Sequence, residues 1–144
     1  MKVNIVLKSL TAPPDYPPEA MELITEGTLE STAENDRTGW EITYSDSEIT
    51  GFENSTTKVL CFGNDIVYMH RSGDFDQDLV IEYGKKHHCD YNTEYGRLVL
   101  GVYTHRILNT ITEKGGELYF KYSIDGNGSL LSENEVYLSI AVRD

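Results

Sequence analysis

Leu118-Tyr119-Phe120-Lys121-Tyr122-Ser123-Ile124 is the stretch whose reading decides the fold. Leu118, Phe120, Tyr122 and Ile124 occupy alternate positions, so they share one face of an extended strand while Tyr119, Lys121 and Ser123 take the other. Val136, Leu138, Ile140 and Val142 repeat the pattern against Tyr137, Ser139 and Ala141. Between these runs stands Asp125-Gly126-Asn127-Gly128, residues that tolerate the positive φ of a tight hairpin. Working outward, strand-like runs fall at 3–7, 21–30, 40–49, 57–62, 66–71, 77–83, 87–91, 98–104 and 106–111, with Gly63-Asn64 and Lys114-Gly115-Gly116 as further turns. No segment carries sustained apolar spacing at helical intervals. The chain is therefore read as all-β, with sequence neighbours as antiparallel spatial neighbours. About ten short strands joined this way either stack as two sheets or close on themselves, and closure removes the exposed edges, so a single meander β-barrel is expected.

The size suits one such domain spanning 1–144, and 39% hydrophobic residues is an ordinary globular share. The exception to the strand pattern is the proline-rich connecting loop over residues 12–19, whose Pro13, Pro14, Pro17 and Pro18 cannot donate to a ladder. Pro18-Glu19-Ala20-Met21 can open a helical turn there, since proline suits a helix start. A formal charge of -12 repels phosphate backbones and anionic lipid at long range, so neither nucleic acid nor a membrane is an expected partner. Lys85-Lys86-His87-His88 is the densest basic strip and reads as a solvated hairpin end. The opening Met1-Lys2-Val3-Asn4-Ile5 has no signal-like apolar region, and cytoplasm is the expected setting. Cys61 and Cys89 are too few for a disulfide framework and lie within apolar runs, where a free thiol behaves as a small hydrophobe.

Inside a barrel, strand parity decides which polar residues face inward. Trp40, Ile42 and Tyr44 define an inner face that continues, without a bulge, through Asp46 to Glu48. Val67, Met69 and Arg71 make a more uniformly apolar wall than Ile66, Tyr68 and His70, which places Arg71 on the same inner surface as Glu48. A guanidinium cannot shed its charge, so enclosed in a barrel it requires a carboxylate or a ligand anion. An internal Arg71–Glu48 pair is the simpler reading, and a binding site for an acidic small molecule the sharper one. His87, Cys89 and Tyr91 share one face; Leu98, Leu100, Val102 and Thr104 point inward on one strand, and Ile107, Asn109 and Ile111 on the next. The inner surface is thus apolar with polar tips at Tyr44, Glu48, Arg71, His87, Tyr91, Thr104 and Asn109, a mixture that suits a small-molecule pocket and also a filled barrel.

Catalytic and metal patterns are weak. His87 and Cys89, with His70 or His105, lack zinc-ligand spacing, and a buried hydrogen-bonded histidine beside a core thiol is the preferred reading, with no metal or cofactor. Asp125-Gly126-Asn127-Gly128-Ser129 starts like a calcium loop, but Val136 occupies the twelfth position, where a bidentate glutamate is required. Nucleophile-elbow, phosphate-loop and zinc-helix motifs do not occur.

Thr25-Glu26-Gly27-Thr28-Leu29, Glu48-Ile49-Thr50-Gly51, Arg71-Ser72-Gly73, His87, Tyr91, Tyr95-Gly96, Gly101-Val102-Tyr103-Thr104 and Gly115-Gly116-Glu117-Leu118 occur in an order that resembles the YwiB-like family. The resemblance spans roughly residues 20 to 142. It implies a calycin-like, lipocalin-resembling barrel in a bacterial cytoplasm, brings no established catalytic residues, and matches the family's Arg and Glu positions at Arg71 and Glu48. The proline-rich loop and His88 beside His87 depart from it. Three functions follow in order: a non-enzymatic barrel holding a small, partly apolar ligand, anionic where Arg71 serves it; an interaction or structural module with a filled interior, acting through outer tyrosines or the proline loop; and an enzyme using His87 with Glu48. The oligomeric state is not readable from the sequence.

Overall fold

The computed structural model describes residues 1–45, 54–74, 76–93 and 96–143, without the side chains of 91–93. Ten strands form it: β1 (Lys2–Ala12), β2 (Glu19–Glu34), β3 (Arg37–Ser45), β4 (Ser55–Phe62), β5 (Ile66–Gly73), β6 (Gln77–Glu82), β7 (Lys86–Thr93), β8 (Gly96–Asn109), β9 (Gly115–Gly126) and β10 (Ser129–Val142). They make one antiparallel sheet in the order β6-β5-β4-β3-β2-β1-β10-β9-β8-β7, curled into a nearly closed barrel, as the alternation implied. No helix among the described residues is long and apolar enough to cross a membrane.

The turns follow from residues that accept positive φ. Asn127 and Gly128, at φ 53° and 79°, join β9 to β10, which confirms the hairpin reading of that would-be calcium loop. Asn35 and Asp36, at 50° and 65°, join β2 to β3 in the same way, a turn that the apolar periodicity did not mark. All four prolines lie in the β1–β2 connection, so the strands themselves are free of them. Pro18 does not start a helical turn: Glu19 already pairs with Thr11 in the β1–β2 ladder, because a free edge of β1 offers those amides partners that one helical turn could not.

Two further expectations are corrected. The runs 98–104 and 106–111 are not separate strands; β8 is continuous to Asn109 and carries a bulge between Thr104 and Arg106. The extra residue shifts the parity, which is why Val102, Thr104 and Ile107 are all buried. Sequence neighbours pair throughout except β6 and β7, which form no ladder with each other. The chain leaving β6 bridges to β8 instead, with Tyr83 beside Thr104 and Gly84 N donating to Thr104 O at 3.0 Å, while Tyr83 N donates to Asp65 O in the β4–β5 turn at 2.8 Å. The barrel is fastened at that end and left with a seam between β6 and β7.

The core is built from alternate positions of the strands, although Leu98, expected to point inward with Leu100 and Val102, is 49% exposed near the start of β8. Val3, Ile5, Leu29, Ile42, Val59, Val67, Ile81, Val102, Leu118, Phe120 and Leu138 are all at most 1% exposed. They fill the end of the barrel where Asn109 anchors the β4–β5 turn, its Nδ2 donating to Gly63 O at 3.0 Å and its backbone N to Asn64 Oδ1 at 2.8 Å. Close approach of β2 to β3 depends on Gly27, where a Cβ would stand 2.1 Å from Thr43 O.

Candidate functional site

The opposite end of the barrel is not filled. A cavity of about 580 Å³ opens there, bounded at its rim by the exposed residues Glu19 and Ala20. Strand register explains its chemistry. Tyr44 pairs with Thr57, Thr57 with Arg71, and Arg71 with Gln77, so four successive strands present one continuous polar row to the interior. The next inward row is apolar: Ile42, Val59, Met69 and Leu79. On the facing wall the register sets Thr11 beside Asn134, Asn134 beside Tyr122, and Tyr122 beside Thr104. Leu7, Met21, Leu100, Ile124 and Val136 supply apolar surface around that second row.

Arg71 is partly buried and lines the cavity, in the inward orientation that parity assigned. Its Nε donates to Thr57 Oγ1 at 3.2 Å and its Nη1 to Gln77 Oε1 at 3.3 Å, so both neighbours in the polar row help to fix the guanidinium plane. Arg71 is the cation among the described lining residues. Of the two lining carboxylates, Glu19 is exposed and Glu135 accepts a hydrogen bond from Tyr119. Burial pushes the Tyr122 phenol up to about 12, opposed in part by the nearby positive charge of Arg71. Tyr122 is thus a neutral hydroxyl at ordinary pH, and it makes no hydrogen bond among the described residues.

The expected site residues divide. Tyr44 (2% exposed) and Arg71 line the cavity together. Thr104 is wholly buried in the second polar row but does not line the cavity, and its Oγ1 has no hydrogen-bond partner among the described residues. Asn109 sits at the filled end, engaged with the turn at Gly63-Asn64, which separates it from the others. His87 lies on the seam, its Nε2 2.8 Å from Glu82 Oε1 across from β7 to the end of β6. This contact draws the Glu82 carboxyl below its usual range, chiefly through the hydrogen bond. Glu48, and with it the Arg71–Glu48 pairing, lies outside the described residues, as does the side chain of Tyr91. Thr57, Gln77, Tyr122 and Asn134 were not singled out. Extending each alternation to its strand's end would have found them, since Thr57 keeps step with Val59 and Asn134 with Val136.

The seam holds a second, smaller opening of about 300 Å³, and Gln77, Leu79 and Cys89 line both it and the main cavity. Cys89 is a free, partly buried thiol whose pKa burial raises. Among the described residues no cluster of three His, Cys, Asp or Glu side chains could hold a metal ion. His70 pairs with Asp78 and His105 with Ser123, each on the outer surface.

Among solved structures, the ywiB protein from Bacillus subtilis is similar over 98% of this chain and 92% of that one, with a TM-score of 0.68 at 17% identity. At that identity the likeness bears on the fold, which it matches. A search of curated proteins finds no match. The sequence also matches, over residues 5–138, the family described as "Domain of unknown function (DUF1934)". With nearly the whole chain inside that match and a YwiB structure sharing its barrel, this chain belongs to the DUF1934, YwiB-like family.

Proposed function

We propose that the barrel is a non-enzymatic binding protein whose cavity takes a small, partly apolar molecule, with an acidic group of that molecule set against Arg71. The observation that carries this reading is the unfilled interior. About 580 Å³ is within the range of small-molecule sites and exceeds the ~300 Å³ that separates a usable pocket from a packed barrel. That volume weighs against the filled-barrel alternative. The lining supports the same conclusion, since a few convergent polar groups on apolar walls give both orientation and burial. Met21 and Met69 are unbranched and polarizable, and adapt to irregular ligand shapes.

The test is a fluorescence titration with 1-anilinonaphthalene-8-sulfonate, an anionic, partly apolar probe. The parent should give a saturable rise at one site. Met69→Trp, which places an indole in the cavity, should abolish it while keeping a cooperative melt; Leu79→Trp serves if that variant fails to fold. Equal dye binding by parent and filled variant would overturn the proposal.

A further inference from the structure

Resting on the cavity reading, we infer that the ligand enters and leaves through the β6–β7 seam, which acts as a side gate pinned at the Tyr83–Lys85 connection. The first support is the ladder. β6 and β7 are the two ends of the sheet order, so no backbone ladder joins them. Parting β5 from β6 would break a ladder of six residue pairs, from Ile66–Glu82 to Arg71–Gln77, and β7 is held to β8 by eight more. The cost of parting grows with each backbone bond lost, and widening the seam breaks none of these. One end of the seam is fastened: Gly84 N donates to Thr104 O at 3.0 Å, Thr104 N to Lys85 O at 3.4 Å, and His87 meets Glu82 across the gap at 2.8 Å. Strands fixed there and unladdered beyond it separate as a wedge that widens toward Gln77.

The second support is continuity. The opening of about 300 Å³ in the seam shares Gln77, Leu79 and Cys89 with the cavity, so at those positions the wall is one side chain thick. The third is the order of polarity along the barrel. A ligand arriving over the rim crosses the row of Tyr44, Thr57, Arg71 and Gln77 before it reaches the apolar row of Ile42, Val59, Met69 and Leu79. One arriving between Leu79 and Cys89 sets its apolar part directly against that second row, without desolvating the polar one. Of the aspartates at the seam's outer edge, Asp76, Asp78 and Asp90, two are paired, Asp78 with His70 and Asp90 with Arg97. Those pairings lower the barrier that the edge sets to an anionic ligand.

The test is kinetic. Val80 and His88 border the seam opening but not the cavity, so Val80→Cys with His88→Cys, in a Cys89→Ala background, places a crosslink outside the site. The pair is joined with a short bis-methanethiosulfonate, which dithiothreitol removes, and binding of 1-anilinonaphthalene-8-sulfonate is followed by stopped-flow fluorescence. Joining should slow association and dissociation alike, by about tenfold or more, and leave Kd within about twofold, because a gate acts equally on both directions; reduction should restore both rates. Asp78→Cys with Asp90→Cys is the second pair, should the first not join. Without any crosslink, Glu82→Ala removes the side-chain tie and should raise both rates about fivefold, the equivalent of one ordinary hydrogen bond. Rates unchanged by joining or, where neither pair joins, by Glu82→Ala would overturn the gate and leave the cavity reading standing. A Kd that moves with the dissociation rate alone would show that the crosslink reshapes the site, and would overturn the gate as well. No saturable dye binding by the parent would overturn the cavity reading and the gate with it.

Discussion

Thr104 offers a test in which stability and binding give separate answers. Its side chain is 0% exposed, its Oγ1 has no hydrogen-bond partner among the described residues, and its backbone is fully employed, with Gly84 N donating to its carbonyl at 3.0 Å. Thr104→Val exchanges the hydroxyl for a methyl of similar shape and keeps the β-branch that suits a strand. A buried hydroxyl without a partner carries a desolvation cost of about 1–3 kcal/mol, which valine removes. Unfolding entropy near 2.1 cal/mol/K per residue over 144 residues gives about 0.3 kcal/mol per degree, so the melting temperature should rise by roughly 3–10 °C. Scanning calorimetry reads that shift, and urea unfolding should move the midpoint without changing the slope. Because Thr104 does not line the cavity, dye affinity should stay within about twofold. An unchanged or lower melting temperature would show that the hydroxyl has a partner and refute the argument. A loss of dye binding would return Thr104 to the ligand site.

Other expectations concern the seam, the thiols and the close approach of β2 to β3. Glu82, whose carboxyl His87 holds below the usual value of 4.5, contributes stability that is present above that value and lost as pH falls through the lowered one. The melting difference between parent and Glu82→Gln should therefore be seen at neutral pH and vanish in acid; a difference independent of pH would contradict it. Cys61 is fully buried with its thiol pushed up to about 11, whereas Cys89 borders both openings. Ellman's reagent should titrate Cys89 alone in the folded protein, more slowly with 1-anilinonaphthalene-8-sulfonate bound, and rapid reaction of both thiols would refute that placement. Gly27→Ala should destabilise by about 3 kcal/mol or more in urea unfolding, since its Cβ would stand 2.1 Å from Thr43 O; a neutral effect would show that the strands can separate freely there.

What the sequence made legible was whatever period two controls. Val67, Met69 and Arg71 point inward as alternation demands, and Ile42 with Tyr44 do the same. Thr104 and Ile107 also face inward as assigned, although the reason is a bulge within one strand rather than a break between two. A bulge leaves no mark in composition because only the pairing with β9 defines it. The β6–β7 seam was illegible for a similar cause: both strands alternate properly, and what separates them is that Tyr83 and Gly84 find backbone partners in the β4–β5 turn and on β8. Asn109 misled because an inward parity says nothing of height along the barrel. It belongs to the end that Phe62, Leu118 and Phe120 fill, far in register from Arg71. Tyr122 was visible on its strand's apolar face, but only the barrel's closure shows that it lines the same cavity as Arg71.

The account rests on an interior that is occupied in use. Native mass spectrometry of the protein isolated gently from its own cells addresses this directly. It should show, beside the 16.3 kDa chain, a species heavier by one small molecule that dissociates under collisional activation and is absent from Met69→Trp prepared alike. The bare chain mass alone, under conditions that preserve the fold, would contradict it.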